Sequence, residues 1–373
     1  MTVQTIEGLG AVVRQAGGPI RVEPIRVEPP GPEEVRVRLA ASGVCHSDDW
    51  AIHNGNWGAP FPMVLGHEGA GVVQDVGDGV GTVAPGDRVL LCWGVPCGRC
   101  RACLRGMPRK CAHQWKQPPR LFLAGTNELL EGTLSLGTLA THTVVHAAQV
   151  IPVPAGADLS RICLLGCGVS TGVGAALNTA KVWPGATVAV VGLGGIGLAA
   201  LQGSRIAGAG RLIAADLVQA KLGWAMAMGA TDRVDAGSGD LVAAVRALTD
   251  DIGVDVAFEA TGVPAVVGQA VAMLGSAGVA VAIGVPPPDS SVIINWSAGP
   301  GAAYGNKASL LVTDGGDSLP EDFATWMEWA VEGSLDLEAM VSREGRLTVP
   351  DLEEALRAML AGEVIRSVVR IDD

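Results

Sequence analysis

The sequence predicts an α/β protein built from a β-rich domain and a doubly wound parallel sheet. Short apolar or alternating segments between Pro/Gly turns fill residues 1 to about 90, a pattern typical of an all-β module. From about Pro152, strand and helix patterns alternate instead, which indicates βαβ units. The length of 373 residues exceeds what one ordinary hydrophobic core holds, so we expect two domains.

In the β-rich part, residues 12–13, 35–39 and 71–73 alternate or run apolar, and the turn 85–88 leads into a strand at Val89. No stretch of useful length before residue 90 has helical periodicity, so no helix is predicted there. In the later part, strands are expected near 187–191, 212–215, 254–258, 279–285 and 364–371. Helices are expected near 173–181, from 198, at 221–228, 265–274, 323–331 and 352–360.

The composition is that of a folded, acidic protein. Hydrophobic residues make up 49% of the chain, charged residues 17% and aromatic residues 4%, which argues against disorder. The net charge of −12 argues against nucleic acid or an anionic membrane as a partner. No secretory signal pattern is visible, and the apolar run 186–201 is shorter than the roughly 20 residues of a membrane span. We therefore expect a cytoplasmic protein.

A glycine-rich turn, Gly192-Leu193-Gly194-Gly195-Ile196-Gly197, follows the strand at 187–191. Strand, glycine turn and helix is the order that a dinucleotide pyrophosphate requires, because the glycines allow a tight turn, close approach to phosphate and close helix packing. The next strand ends at Asp216, 19 residues after Gly197, where a carboxylate can accept hydrogen bonds from an adenosine ribose. With 52 glycines the motif alone is weak, and an empty α/β turn is the alternative. Its context favours dinucleotide binding.

Four cysteines lie within 15 residues, at Cys97, Cys100, Cys103 and Cys111. Four thiolates satisfy tetrahedral zinc and leave no open position, so the spacing predicts a structural zinc site. An iron–sulfur cluster is the alternative, although its fourth cysteine usually lies farther off or before a proline.

A second set of ligand types is scattered along the chain, as Cys45, His67 and Cys167. Three protein ligands with one open position form the usual catalytic zinc arrangement. Taken singly, however, each of these residues reads as an ordinary core residue. Spacing alone does not bring Cys167 next to Cys45.

Together these features resemble the zinc-dependent medium-chain alcohol dehydrogenase family over nearly the whole chain. The motifs that carry the resemblance are Gly43-Val44-Cys45-His46-Ser47-Asp48, Gly66-His67-Glu68-Gly69, the four-cysteine loop, 166–172, the glycine turn and 362–367. The resemblance implies a GroES-like catalytic domain from 1–168 and 312–373, with a Rossmann dinucleotide domain over 169–311 between them. It also implies that Cys45, His67 and Cys167 meet at a catalytic zinc, the ligand set for which alcohol dehydrogenase is itself the standard example.

The resemblance assigns roles to further residues. Asp48 orients His67, Glu68 lies behind the metal and Ser47 relays the alcohol proton. Positions that face the cofactor are His46, Thr171, Lys221, Ile283, Val285 and Arg366. The implied reaction is hydride transfer from a zinc-bound alkoxide of a primary or secondary alcohol to NAD. Asp216 favours NAD over NADP, because its carboxylate repels a 2′-phosphate.

The sequence departs from the family at Trp50, where many members have a histidine that carries the relay proton. Either His53 or water takes that proton here. Trp50, Trp57 and Trp93 would suit a pocket for an aromatic or bulky apolar alcohol. The remaining cysteines and histidines are assigned to packing or to the surface: Cys92, Cys163, His113, His142 and His146.

Three other functions remain open. One is a nicotinoprotein alcohol dehydrogenase, in which NAD stays bound and an external acceptor regenerates it. Another is a formaldehyde dehydrogenase that depends on glutathione or mycothiol. The non-enzymatic alternative is a dinucleotide-binding sensor with structural zinc only. In each case family members are usually homodimers or homotetramers, and the sequence does not name the alcohol.

Overall fold

The computed structural model describes residues 4–55, 60–111, 120–299 and 301–371. The chain forms two compact units. The first unit contains Met1–Cys167, Leu319–Gly333 and Leu337–Asp373, and the second contains Gly168–Ser318 and Ser334–Asp336. The boundaries between these units lie after Cys167 and after Ser318. The domain boundaries expected from the sequence, 168/169 and 311/312, stay predictions. Trp57 and His113 lie outside the described residues.

The amino-terminal part of the first unit is mostly β-structure, as the sequence predicts. Its strands are β1 (Ile6–Val13), β2 (Arg21–Val27), β3 (Glu34–Val44), β4 (Met63–Val64), β5 (Glu68–Val76), β6 (Arg88–Leu91), β7 (Leu121–Leu123), β8 (Leu129–Gly132), β9 (His142–His146) and β10 (Val150–Pro152). Its helices are α1 (His46–Asn54), α2 (Arg101–Leu104) and α3 (Leu159–Ile162). Single 3₁₀ turns occur at Pro108–Lys110, Thr133–Ser135, Ala147–Gln149 and Cys163–Gly166.

The second unit alternates strands and helices. Its elements are α4 (Gly168–Gly174), a π-helical turn (Ala175–Thr179), β11 (Thr187–Val191), α5 (Gly195–Ile206), β12 (Arg211–Asp216), α6 (Gln219–Ala227), β13 (Asp232–Asp235), α7 (Leu241–Ala247), β14 (Val254–Glu259), α8 (Pro264–Ala272), β15 (Leu274–Ala282), α9 (Ala303–Asn306), β16 (Ser309–Val312) and a 3₁₀ turn (Gly315–Asp317). Within the described ranges six parallel strands form one sheet in the order β13-β12-β11-β14-β15-β16. The order runs outwards in both directions from β11 and β14, so the predicted doubly wound sheet is confirmed.

The carboxyl-terminal segment returns to the first unit as α10 (Asp322–Glu332), β17 (Val341–Arg346), α11 (Val349–Leu360) and β18 (Arg366–Arg370). β18 pairs antiparallel with β3 and parallel with β17. In the described part of this unit, one sheet runs β10-β6-β5-β3-β18-β17, with β9 also on β3, and a closed barrel contains β1, β2, β7, β8 and β4. Apolar side chains from β3, β5 and β6, such as Val37, Val73 and Leu91, fill a core between these elements.

Helix α1 corrects the prediction that no helix precedes residue 90. Asp48, at the third position of the helix, accepts a hydrogen bond from the backbone N–H of Cys45 at 2.9 Å, which closes a capping box. The helix ends at Gly55, which has φ of 78°. Its nine residues include two acids, a tryptophan and two histidines, so it lacks an apolar stripe, and its capping residues specify it instead.

The sheet of the second unit contains further departures from the prediction. The strand expected at 279–285 is β15, which begins earlier, at Leu274. The apolar run 270–274 continues the helical pattern past the end of α8, so the sequence predicts helix where β15 begins. β13 and β16 are missing from the prediction because they are four-residue edge strands. α7 is similarly short, with seven residues. Length rather than composition limits recognition of these elements.

No single helix in the described ranges has the length and apolar composition of a membrane span, although the helical stretches 159–166 and 168–179 would pass such a test as a pair.

Candidate active site

The first unit brings Cys45, His67, Glu68 and Cys167 together. One potential ligand atom from each residue lies within 4.8 Å of the others, and all four side chains are buried. Cys45 follows β3, His67 and Glu68 stand at the start of β5, and Cys167 follows the 3₁₀ turn Cys163–Gly166. Residues more than 100 positions apart in sequence therefore share one buried cluster, which the spacing alone did not predict.

Glycines create the space for this cluster. Gly66 has φ of 90°, and a methyl group on it would lie 2.4 Å from the backbone N of Leu139. A methyl group on Gly43 would lie 2.0 Å from Oε2 of Glu68. A larger residue at Gly43 would therefore displace the side chain of Glu68, and one at Gly66 would press on the backbone of Leu139.

Asp48 connects the ligand-bearing segments. Its Oδ2 accepts a hydrogen bond from the N–H of Cys45 at 2.9 Å, and its Oδ1 accepts one from the N–H of Gly66 at 3.0 Å. Oδ1 also lies 3.3 Å from Nδ1 of His67. The side chain is 1% exposed, so this carboxyl group fixes α1, the Gly66 turn and the imidazole in one arrangement.

Burial and neighbouring groups shift the pKa values of the two cysteines in this cluster in opposite directions. A hydrogen bond with Cys167 lowers the pKa of Cys45 against the effect of burial, and His67 lowers it further. The same hydrogen bond, together with burial, raises the pKa of Cys167. Burial opposes a charge on His67, but Asp48 and Cys45 outweigh it and raise the pKa of the imidazole. The cluster thus stabilises a thiolate, the form in which cysteine binds a metal.

Arg366 and Glu68 form a buried ion pair beside the ligand cluster. Nη2 of Arg366 donates to Oε2 of Glu68, and the two residues are 5% and 0% exposed. Burial raises the pKa of Glu68 although Arg366 opposes it. The predicted contact of Arg366 with a cofactor pyrophosphate stays a prediction, since its guanidinium is engaged by Glu68. His46, the first residue of α1, is exposed.

The four cysteines of the predicted structural site also converge. Their sulfur atoms lie within 4.8 Å of one another, and all four residues are partly buried. Backbone N–H groups of Cys97 and Cys103 donate to Sγ of Cys111 at 3.4 Å and to Sγ of Cys100 at 3.5 Å. The second of these hydrogen bonds lowers the pKa of Cys100 to about 7. Burial and the neighbouring cysteines instead raise the pKa of Cys103 to about 12, so these contacts favour a thiolate at Cys100 first.

The loop that carries these cysteines is attached to α10 by an ion pair. Arg109 Nη2 donates to Oδ1 of Asp322 at 2.9 Å, and Nη1 donates to Oδ2 at 2.5 Å. A bidentate guanidinium–carboxylate pair is more specific in geometry than a single contact. Arg109 and Asp322 are 213 positions apart, so no local sequence pattern indicates this pair.

In the second unit, Gly192, Gly194 and Gly197 have the geometry of a dinucleotide turn. Gly192 has φ of 91°, and a methyl group on Gly197 would lie 1.8 Å from the carbonyl oxygen of Gly192. At Gly194, the N-cap of α5, nothing lies within 4 Å of such a methyl group. The first and third glycines therefore serve the turn and the packing, whereas the second leaves the helix N-terminus open to an anion.

Asp216 holds the glycine turn in place. Its Oδ2 accepts a hydrogen bond from the N–H of Leu193 at 2.7 Å, and its Oδ1 accepts one from the N–H of Val218 at 2.9 Å. It ends β12, the strand next to β11. The remaining predicted cofactor positions lie in the same unit: Thr171 and Ile283 are buried, Lys221 and Ile196 are half-buried, and Val285 is 83% exposed.

Three of the residues predicted for the proton path and the substrate pocket, Ser47, Trp50 and His53, lie on α1. Oγ of Ser47 lies 3.8 Å from Sγ of Cys45. Trp50 is half-buried, and Trp93 is half-buried against the core that contains Val37. The side chain of His53 is 59% exposed and its Nε2 lies 3.6 Å from Oδ1 of Asp49.

Comparison with known proteins gives matches along the whole chain. The family of alcohol dehydrogenase GroES-like domains matches residues 31–155, and the family of zinc-binding dehydrogenases matches residues 195–332. Alcohol dehydrogenase 6 of Rattus norvegicus is 34% identical over an alignment 371 positions long, which covers 96% of this chain and 96% of that protein.

Two solved structures extend the comparison. An alcohol dehydrogenase zinc-binding domain protein from Burkholderia ambifaria has a TM-score of 0.91 at 31% identity and covers 99% of this chain and 100% of its own. Benzyl alcohol dehydrogenase from Acinetobacter calcoaceticus has a TM-score of 0.88 at 26% identity, with 98% and 99% covered.

Proposed function

Since the chain belongs to the zinc-dependent medium-chain alcohol dehydrogenase family, we propose that it oxidises a primary or secondary alcohol with NAD at a zinc site formed by Cys45, His67 and Cys167. The observation that carries this proposal is the buried convergence of these donors. Two sulfur atoms and one imidazole suit zinc and leave a fourth position for substrate.

The donor set also fits the metal atom by atom. Nε2 of His67 is buried and has no hydrogen-bond partner in the described part of the chain, while Nδ1 faces Asp48 at 3.3 Å. A buried imidazole nitrogen without a partner costs free energy unless a ligand occupies it. Asp48 would hold the ring so that Nε2 points to the metal.

When bound, zinc supplies a Lewis acid for the alcohol oxygen and NAD supplies the hydride acceptor. The role of the chain is to hold the donors and move one proton. Ser47 is assigned to take the alcohol proton, because its hydroxyl lies 3.8 Å from Sγ of Cys45 and is partly open to solvent. Glu68 and Arg366 balance charge behind the donor set.

Water is the better candidate than His53 for accepting the proton from Ser47. Six helical residues separate them, which is about 9 Å along the axis of α1 and roughly 120° around it. His53 is also engaged by Asp49. A His53→Gln variant should therefore leave the pH profile of kcat/KM unchanged. A shift of either limb of that profile would instead support His53 as the proton acceptor.

We propose NAD rather than NADP, because a carboxyl group at the end of β12 would repel the 2′-phosphate of NADP. Two backbone hydrogen bonds fix this group beside the glycine turn. In kinetics with both cofactors, Asp216→Gly should raise the use of NADP relative to NAD. An unchanged ratio would count against the assignment.

We propose that the substrate is an aromatic or bulky apolar alcohol. The support is the half-buried Trp50 and Trp93 and the likeness to benzyl alcohol dehydrogenase from Acinetobacter calcoaceticus. Trp93→Ala should lower kcat/KM for benzyl alcohol more than for ethanol. Equal effects on both alcohols would remove Trp93 from the pocket.

We assign a second zinc, of structural type, to Cys97, Cys100, Cys103 and Cys111, because their sulfur atoms converge within 4.8 Å. All eight cysteines are free of disulfides, which suits a reducing compartment such as the cytoplasm.

The deciding experiment combines a zinc count with a substrate screen. The purified protein is assayed on a series of alcohols with exchangeable NAD, with an artificial electron acceptor, and with glutathione- or mycothiol-trapped formaldehyde. Turnover of alcohols with added NAD supports the proposal. Turnover only with the acceptor, together with NADH absorbance in the purified protein, indicates a nicotinoprotein. One zinc ion per chain and no turnover would favour a dinucleotide-binding sensor with structural zinc only.

A further inference from the structure

Glu259, a buried side chain at the end of β14, has no part in the chemistry proposed above. It is 0% exposed. Its Oε1 accepts hydrogen bonds from the N–H of Thr261 at 2.6 Å and the N–H of Gly262 at 2.9 Å, and also from the Thr261 hydroxyl. Its Oε2 is buried without a hydrogen-bond partner among the residues that the structure describes. An unpaired buried acceptor lowers stability, so stability alone does not explain a carboxyl group here.

The turn that Glu259 holds, residues 260–262, packs between two parts of the predicted dinucleotide site. A methyl group on Gly192 would lie 2.6 Å from Cγ2 of Thr261, and one on Gly284 would lie 2.1 Å from the N of Gly262. The turn therefore touches both the glycine turn after β11 and the chain that leaves β15. The N–H groups that Glu259 holds belong to Thr261 and Gly262, and Gly262 lies against the chain that leaves β15, so loss of the carboxyl group should move that chain more than the glycine turn.

Backbone hydrogen bonds complete this junction. The N–H of Ala260 donates to the carbonyl of Val191 at 2.9 Å, and the N–H of Ile283 donates to the carbonyl of Glu259 at 2.9 Å. Three neighbouring strands, β11, β14 and β15, are thus tied together at their carboxyl ends. The side chain of Glu259 fixes the turn itself through three donors on one oxygen, and the Thr261 hydroxyl also accepts a hydrogen bond from the N–H of Val263 at 3.1 Å.

The strand order gives this junction a place along the ligand. From β12 to β15 the carboxyl ends present Asp216, the glycine turn, residues 260–262 and residues 283–285 in that order. Ligands of such sheets bind outside the carboxyl ends of the strands. A dinucleotide with its adenosine at Asp216 and its diphosphate at the glycine turn extends its nicotinamide half over 260–262.

We propose that Glu259 is a positioning residue for the nicotinamide half of the dinucleotide, acting through the turn 260–262. This inference rests on the proposed use of a dinucleotide. The two halves of the ligand should respond differently to changes at Glu259, because the adenosine half depends on Asp216 and β12, which lies two strands away from β14.

The test compares binding of NADH and of AMP to the zinc-loaded protein by calorimetry. Glu259→Leu keeps the approximate size of the side chain and removes the acceptor, so NADH should bind roughly tenfold more weakly while AMP binds within about twofold of the wild type. Glu259→Gln retains an acceptor oxygen for the turn and should restore NADH binding to within about threefold. A general loss of folding would weaken both ligands together.

A second pair of variants tests the same turn without replacing Glu259. Thr261→Val removes the hydroxyl that donates to Oε1 of Glu259 and accepts from the N–H of Val263, whereas Thr261→Ser keeps both hydrogen bonds. The valine variant should weaken NADH binding severalfold relative to the serine variant, again without an effect on AMP.

Three results would overturn the inference: wild-type NADH affinity in Glu259→Leu, equal losses of NADH and AMP, or Glu259→Gln as weak as Glu259→Leu. A wild-type protein that binds neither NADH nor AMP would instead overturn the proposed function.

Discussion

Asp48 is the residue through which the ligand-bearing segments are coupled. It accepts from the N–H groups of Cys45 and Gly66 and faces His67. An Asp48→Asn amide has one acceptor oxygen where the carboxyl group has two, so one of these contacts must fail. We expect about 10- to 100-fold lower zinc affinity or activity, measured by competition with a chelator and by kcat/KM.

Asp49→Asn is the matched control for this variant. Asp49 is the next residue of α1, is half-buried, and faces His53 rather than the ligand cluster. It should retain wild-type zinc affinity. Equal zinc affinity in the Asp48 and Asp49 variants would show that Asp48 does not orient His67.

We expect His142 to make the free energy of unfolding depend on pH. Burial, together with Arg36 and Arg38, lowers the pKa of His142 to about 4, and Asp75 acts weakly in the other direction. The unfolded chain takes up this proton near the ordinary value of about 6.5. The stability contribution is therefore present above about pH 6.5 and is lost as the pH falls towards 4.

The measurement is denaturant unfolding of the wild type and of His142→Gln between pH 8 and pH 4.5. The wild type should lose stability relative to the variant as the pH falls through about 6. Between pH 7 and pH 8 the difference between the two proteins should stay constant, which provides the internal control. A difference that does not change with pH would contradict the assigned pKa.

At the scale of the element, the four-cysteine loop depends on its metal more than on its packing. α2 and the neighbouring 3₁₀ turn contain no buried residue, and Leu104 is 75% exposed. Cys103→Ser should therefore remove one zinc per chain and lower the apparent Tm by about 5–10 °C, with NADH binding unchanged. Metal analysis and thermal unfolding provide the readouts.

Cys163→Ala is the control for the loop variant. Cys163 is fully buried in the first unit and belongs to neither cysteine cluster. It should retain both zinc ions whatever its effect on Tm. Full zinc content in Cys103→Ser would mean that the loop does not hold a metal through this cysteine.

The elements also show what sequence patterns can and cannot predict. β11 and β14 are apolar and β-branched, with turn residues around them, and both were predicted nearly to their observed ends. α1 was missed because a capping box and buried partners specify it, not periodicity. β16 was missed because its four residues are too few to show a strand period, although three of them are apolar.

At the scale of the whole molecule, the exposed edge of the second unit predicts self-association. β16 ends the sheet, and Leu310, Val312, Ile293 and Trp296 are exposed by 37%, 73%, 87% and 71%. An unpaired apolar edge of this kind is a template for pairing with another chain. We propose that it joins two copies in a homodimer, alone or within a tetramer.

Light scattering tests this assembly. Leu310→Lys with Val312→Lys places two charges on one face of β16 and should halve the mass, from dimer to monomer or from tetramer to dimer. Leu360→Lys, at an exposed position on α11 of the first unit, is the control and should leave the mass unchanged. A wild type that is already monomeric at micromolar concentration would contradict the proposal.

The meeting of Cys45, His67 and Cys167 illustrates the limit of sequence reasoning for the molecule as a whole. Ligand chemistry named the three residues, but only the resemblance to a family implied that they share one ion. The pairing of β3 with β5, which sets Gly43 opposite Glu68, and the contacts of Asp48 bring Cys45 and His67 together, and both are long-range contacts that no local pattern records. The junction at Glu259 has the same character, although an acidic residue at the end of an apolar strand was a visible signal.

The most direct test of the central claim is the zinc content of Cys167→Ala, compared with the wild type by mass spectrometry of the metal. We expect the wild type to hold two zinc ions per chain and the variant one, with alcohol oxidation abolished and NADH binding retained. A variant that still holds two zinc ions, or that still oxidises alcohols at the wild-type rate, would contradict the claim that Cys45, His67 and Cys167 form the catalytic metal site.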